Sequence, residues 1–129
     1  VPIDRDLVVC GKIEFAETRD KTLQMLQSAN PPDAIFALND IVTYAAFDAI
    51  KSLNLHIPQD VAIIGFAEDD NAAFVTPSLS AVMDQAHVQG ATACELLLRR
   101  IQGDRKVYKK VIPMIFKIRK SSDKQACED

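Results

Sequence analysis

Glycine is scarce in this chain, with 4 in 129 residues, and tryptophan is absent. So few glycines, none of them clustered, leave no glycine-rich phosphate loop. The three cysteines, Cys10, Cys94 and Cys127, stand far apart. That spacing offers neither a disulfide framework nor a zinc site, and it reads as buried or idle thiols in a reducing compartment. Charge of one sign is also missing: 15 basic and 18 acidic residues give a net charge of -3, with no basic stripe along the chain. A surface of that kind does not neutralise a run of phosphates, so these residues alone are not expected to bind nucleic acid. No apolar run approaches the roughly 20 residues of a membrane span, and the N-terminus lacks the basic and apolar regions of a signal peptide. The first residue is Val1 rather than methionine, so the sequence reads as a piece of a longer polypeptide.

What the chain does have is apolar content, 48% of its residues. At this length one domain can bury about two-thirds of its unfolded surface. Two segments dominate: residues 33–40, DAIFALND, and residues 55–66, LHIPQDVAIIGF. Each is a continuous apolar run ending in polar residues, the pattern of a strand buried on both faces. Between them, Ile41, Ala45, Ala49 and Leu53 recur at helical spacing, flanked by Tyr44 and Phe47. Strand, helix and strand imply a parallel pair closed by a right-handed crossover, with both carboxyl ends on one rim, where α/β proteins bind ligands.

Around this unit, residues 7–10 read as a short strand and residues 17–28 as a helix, with Leu23 and Leu26 inward and Pro31 and Pro32 as its stop. Residues 68–71 read as a polar loop and 79–83 as another strand. Residues 85–102 carry helical spacing at Val88, Ala91, Leu98 and Ile101, with Gly103 placed to end the helix. Residues 107–118 alternate apolar and basic side chains like a strand with one wet face, an edge or bent strand because of Pro113. The tail from Ser121 is polar and expected to fray.

Several of these segments resemble one family, the LacI-type bacterial transcription regulators, whose effector domain shares its fold with periplasmic sugar-binding proteins. The resemblance rests on Pro32-Asp33-Ala34-Ile35-Phe36 running into Asn39-Asp40, and on Ile57-Pro58-Gln59-Asp60-Val61 leading to Gly65-Phe66. It extends to Thr76-Pro77-Ser78-Leu79-Ser80, to Gly90 with Leu96, Leu97 and Leu98, and to Arg119-Lys120-Ser121. It implies an α/β fold, a doubly wound, mostly parallel sheet of the periplasmic-binding-protein-like type. Residues 1–129 would be an incomplete C-terminal lobe with the final segment, the helix-turn-helix domain and the N-terminal lobe being absent. In a sheet of order 2-1-3-4-5 the missing first strand is central, so the strands are expected to rearrange, or a second copy to supply pairing.

By the same resemblance the full-length protein is a cytoplasmic homodimer, not an enzyme and without a cofactor. A small-molecule effector, a sugar or sugar derivative, would bind between two lobes and control DNA binding through the absent domain. A fragment of a periplasmic sugar-binding protein of a transport system is the alternative, and the lobe alone is expected to hold no ligand.

The candidate cleft residues are Asn39, Asp40, Phe36, Glu68, Asp69, Asp84 and Gln85. Asn39 and Asp40 end a buried strand and open a helix, where either side chain can cap backbone N–H groups. The resemblance adds a cleft role for Asn39, whose amide both donates and accepts. Phe36 is either core or a stacking surface. After Gly65-Phe66 the family pattern has an aspartate, and here the residue is Ala67. Glu68, Asp69 and Asp70 follow, either as a solvated loop or as a carboxylate reaching the cleft. Asp84 and Gln85 share the position of one polar cleft residue. Enzyme readings are weaker, since there is no serine elbow and no histidine triad around His56 or His87. Residues 68–70 with Asp40 could hold Mg²⁺ as phosphoryl-accepting domains do, but no lysine ends a strand in the place that chemistry needs.

Overall fold

The computed structural model describes residues 4–67 and 69–125, and at residues 69 and 70 the backbone alone. A 3-10 turn at Arg5–Leu7 is followed by α1 (Phe15–Leu26), β1 (Ala34–Phe36), α2 (Asp40–Ser52) and β2 (Ala62–Phe66). Next come α3 (Asp69–Phe74), β3 (Ser80–Met83), α4 (Ala86–Ile101) and β4 (Ile115–Lys117). The strands lie in the order β1-β2-β3-β4. The first three are parallel, with Ala34 opposite Ala62 and Ile64 opposite Ser80, and β4 runs antiparallel to β3 with Val82 opposite Phe116. This is the mostly parallel α/β sheet that the two apolar runs predict.

Helix α2 owes its position to small residues. Ala45 and Ala49 are fully buried, which lets the helix axis approach the sheet, and Phe47 and Ile50 join Ile63 of β2 in the core. Each large aliphatic side chain buried this way contributes roughly 1.5–3 kcal/mol. The helix ends where Leu53 hands over to Asn54, whose φ of 56° is the left-handed conformation asparagine tolerates at a helix end. In the loop that follows, Ile57 and Pro58 are buried while Asp60 accepts hydrogen bonds from the His56 backbone N–H (2.7 Å) and ring (3.1 Å). The His56 backbone N–H is the main cause that holds the Asp60 carboxyl below the usual carboxylate range.

The closest approach of α2 to the sheet is at Gly65. A Cβ on Gly65 would coincide with the side chain of Thr43, so only glycine fits there. Thr43 is fully buried; its Oγ1 donates to the Asn39 carbonyl (2.6 Å) and accepts from the Phe66 N–H (3.2 Å). One hydroxyl thus ties the start of α2 to the tip of β2.

The parity of the strands divides the sheet into two faces. Ile35, Ile63, Gly65 and Ala81 turn toward α2, whereas Ala34, Phe36, Ala62, Ile64, Val82 and Phe116 turn away from it and line an open cavity of about 410 Å³ together with Ile35. Both faces are apolar, as the continuous runs require, yet helices α1 and α2 pack on one only.

Five expectations are corrected. Residues 7–10 form no strand: after the 3-10 turn the chain runs unpaired, because no neighbour lies within ladder distance. Nor do the strands rearrange, since β1 to β4 keep their sequential order. Of residues 107–118 only Ile115–Lys117 pairs, and Val107 is 96% exposed; alternation fits a strand but cannot supply a partner. The polar loop expected at 68–71 instead opens α3 at Asp69. Helix α4 has the predicted period, but Val88, Leu97, Leu98 and Ile101 are exposed, and it makes no more than marginal contact with another element. As for the thiols, Cys10 and Cys94 are free and exposed rather than buried, and Cys127 lies outside the described residues.

The tail is also more ordered than its polarity suggests. Ser121 is fully buried, its N–H donating to the Ser78 carbonyl and its carbonyl accepting from the Ile63 N–H, both at 2.9 Å. Its hydroxyl donates to the Ile63 carbonyl (2.6 Å) and accepts from the Ser80 N–H (2.8 Å). Arg119 adds a bond from its guanidinium to the Leu79 carbonyl (2.9 Å). The Arg119-Lys120-Ser121 motif is therefore a stitch across the starts of β2 and β3.

Two predictions follow from these polar pins. Ser121→Ala leaves the buried Ser80 N–H without its acceptor and lowers stability by about 1–3 kcal/mol, read as a lower urea midpoint at unchanged slope; an unaltered midpoint refutes the stitch. Thr43→Val keeps the shape but strips the acceptor from the Phe66 N–H, costing about 1–3 kcal/mol, and Gly65→Ala overpacks the same contact with a loss of about 1–3 kcal/mol. Thermal unfolding of both variants checks this.

Candidate functional site

Parallel strands present their carboxyl ends on one rim, and at that rim a cavity of about 640 Å³ opens. It is lined by the residues that follow β1 (Leu38, Asn39, Asp40), by Phe66 and Ala67 at the end of β2, and by Val82, Met83 and Asp84 at the end of β3. Ala86, with Ile115 and Lys117 of β4, completes the lining.

Asn39 reaches this place because it is the N-cap of α2. Its Oδ1 accepts from the Ile41 N–H (2.9 Å), a bond shared with Asp40 Oδ1 (2.7 Å). The amide oxygen is thereby occupied, whereas the amide nitrogen has no acceptor among the described residues. Capping and presentation toward the cavity are compatible: one end of the amide holds the helix and the other faces the opening. Asp40 and Asp84 are both exposed carboxylates on the same cavity.

The remaining candidates separate. Phe36 does not line the rim cavity. It is 59% exposed on the open sheet face, with its ring centroid 6.2 Å from that of Phe66, so it is neither core nor cleft; strand parity turns it away from α2. Gln85 is likewise off the cavity, its side-chain nitrogen donating to the Pro113 carbonyl (2.7 Å). Of the two residues sharing that position, Asp84 is the one on the rim. Glu68 lies outside the described residues, and Asp69 opens α3 with its side chain also outside them. Ala67, at the position where the resembled pattern has an aspartate, is buried and packs with the core beneath the cavity.

Sequence reading missed Lys117 and Met83. Lys117 sits opposite Ala81 on the antiparallel strand, 77 residues after Asp40. The basic alternation of residues 107–118 was its only signal, and that pattern did not say which strand it would join.

Chemically, the cavity combines an amide donor, two carboxylates and a lysine at its edge with an apolar floor of Leu38, Phe66, Val82 and Met83. Such a surface can hydrogen-bond hydroxyls while packing on carbon. No serine, cysteine or histidine is among its described lining residues. Among the described residues no group of three His, Cys, Asp or Glu side chains could hold a metal ion, and no helix is long and apolar enough to cross a membrane. The groups displaced from their ordinary pKa sit elsewhere: around Tyr108, for instance, the hydrogen bond to Asp104 raises the phenol, and the Lys106 N–H is the main cause lowering Asp104.

Comparison with known proteins gives the frame for this geometry. Residues 4–122 match the family model described as a periplasmic binding protein-like domain. The chain is 33% identical over 97 residues to the HTH-type transcriptional repressor PurR of Aliivibrio salmonicida, covering 75% of this chain and 29% of that protein. It is 32% identical over 93 residues to the ribose operon repressor of Escherichia coli K12, covering 72% of this chain and 28% of the relative. Among solved structures, a LacI family transcriptional regulator from Enterococcus faecium with bound ribose superposes with a TM-score of 0.73 at 29% identity, over 84% of this chain and 40% of that one. The chain thus spans about three-tenths of the length of those two curated relatives. It belongs to the periplasmic-binding-protein-like family, in the form carried as the effector-binding domain of LacI-type transcription regulators.

Proposed function

We propose that this chain forms one wall of the effector cleft of a LacI-type regulator, and that the effector is a sugar or sugar derivative. The observation that carries the reading is the convergence of Asn39, Asp40 and Asp84, from two strand ends, on a single cavity with an apolar floor. A ring of hydroxyls over a carbon face fits such a wall, the carboxylates accepting from hydroxyls and the Asn39 amide nitrogen donating to one. The ribose in the Enterococcus faecium regulator and the name of the ribose operon repressor support the same class. Ala67 supplies no side-chain hydrogen bond, so Asp40 and Asp84 take over the carboxylate role at this rim.

In the full-length protein, effector binding between this wall and a second lobe shifts the relative angle of the lobes and, through it, DNA binding by a cytoplasmic homodimer. The chain's part is binding rather than catalysis. The curated relatives are transcription repressors, which favours this reading over a transport-system binding protein.

Isothermal titration of the full-length protein with D-ribose and a panel of other monosaccharides tests the ligand class; binding of none of them overturns it. Asn39→Asp separates the two jobs of that residue, because a carboxylate still caps α2 while the donor is lost. The expected result is an affinity at least tenfold weaker, about 1.4 kcal/mol, with an unchanged melting temperature. Asp84→Asn is expected to weaken binding by a similar factor, and full affinity in both variants removes these residues from the site.

A further inference from the structure

Two unfilled features lie side by side in this fold. The first is the free edge of β1. Ala37 N–H donates to the Ile64 carbonyl and the Asp33 carbonyl accepts from Ala62 N–H, both at 2.9 Å, so these alternate residues face β2. Strand alternation then turns the N–H and C=O of Ala34 and Phe36 to the opposite side. There they meet a slot of about 410 Å³, bounded by β1, by Leu7 and residues 9–13 across from it, and by Thr18, Thr22 and Met25 of α1 above. Its lining is mostly apolar, and Val9, Ile13, Phe36 and Leu38 are all exposed. The second feature is the bare sheet face, where Ala34, Phe36, Ile64 and Phe116 line the other open cavity of about 410 Å³.

Handedness connects the two. From residues 7–13 the chain passes through α1 to β1, and from β1 through α2 to β2; both crossovers advance across the sheet in one direction and place their helices on one face. Helix α1 therefore bridges over the slot, as a crossover does when it skips one strand. A strand seated in the slot and followed by residues 7–13 has to step in the opposite direction, and a right-handed connection then puts its helix on the opposite face. That is the bare face.

We propose that the slot is a strand-acceptor site filled by one segment of the natural polypeptide immediately N-terminal to this chain: an extended apolar strand parallel to β1, followed by an amphipathic helix that lies on the Phe36–Ile64 face. One strand–helix unit satisfies the unpaired Ala34 and Phe36 backbone groups and covers both apolar surfaces. The relatives extend well beyond the matched region, which this chain spans to about three-tenths of their length, so a segment of this size is available. The inference is independent of the effector proposed above.

Amide hydrogen exchange in the full-length natural polypeptide tests it, with the 129-residue chain as comparison. Ile35 and Ala37, facing β2, are the internal controls. In the full-length protein the Ala34 and Phe36 amides are expected to exchange as slowly as those controls and to show cross-strand NOEs to residues preceding Val1. In the 129-residue chain they are expected to exchange at least about a hundredfold faster than in the full-length protein. Rapid exchange at Ala34 and Phe36 in the full-length protein overturns the proposal. So does slow exchange with NOEs to residues 7–13, which means that the chain closes its own slot. NOEs to a second protomer, with protection rising with concentration, assign the slot to dimerisation and equally overturn it. A natural polypeptide with nothing before Val1 does the same.

Discussion

Everything at the rim depends on how closely α2 can lie on β2. That approach is set at one point, where Thr43 occupies the space a side chain on Gly65 would need. Because Thr43 also holds the Asn39 carbonyl and the Phe66 N–H, the contact fixes helix and strand in register along the crossover as well as in separation. The N-cap Asn39 and the strand tip Phe66 are consequently positioned by the same buried hydroxyl. A cavity built on strand ends is only as well defined as those ends, and here the definition comes from one glycine and one threonine.

The centre of the fold was legible because its physics is local. Residues 33–66 state a strand, a helix and a strand by apolar continuity, period and caps, and the structure has all three, although β1 is reduced to Ala34–Phe36 because only these residues have a partner in β2. Segments whose structure depends on a distant partner were not legible. Residues 7–10 and 107–114 have the composition of strands but lie beside no edge that could pair with them. Ser121 shows the opposite error: a polar tail residue became one of the most buried groups because Ile63, Ser78 and Ser80 needed its hydrogen bonds.

The candidate site divides along the same line. Asn39 and Asp40 could be placed from sequence because a cap at a strand-to-helix junction is a local necessity. Asp84 and Gln85 were indistinguishable by position, and it took the Pro113 carbonyl, arriving from 28 residues away, to turn Gln85 aside. Phe36 failed because a strand apolar on both faces does not announce which of them a given side chain joins. Lys117 was unreachable until β4 was known to pair with β3.

The path of the chain through α4 has a mechanical consequence. It leaves the sheet along β3 and comes back along β4, and these two strands are direct neighbours, with Met83 opposite Ile115 at their shared end. Whatever body α4 is bound to is thus joined to this sheet through a two-ply strap, with departure and return side by side. Tilting that body needs torsional change only at Asp84 and Met114, just beyond the last ladder pair, and breaks no rung between the strands. The strap is stiff against pulling and compliant to bending, and it emerges beside the cavity at the end of β3, so bending at that point opens or narrows the space above Asp84.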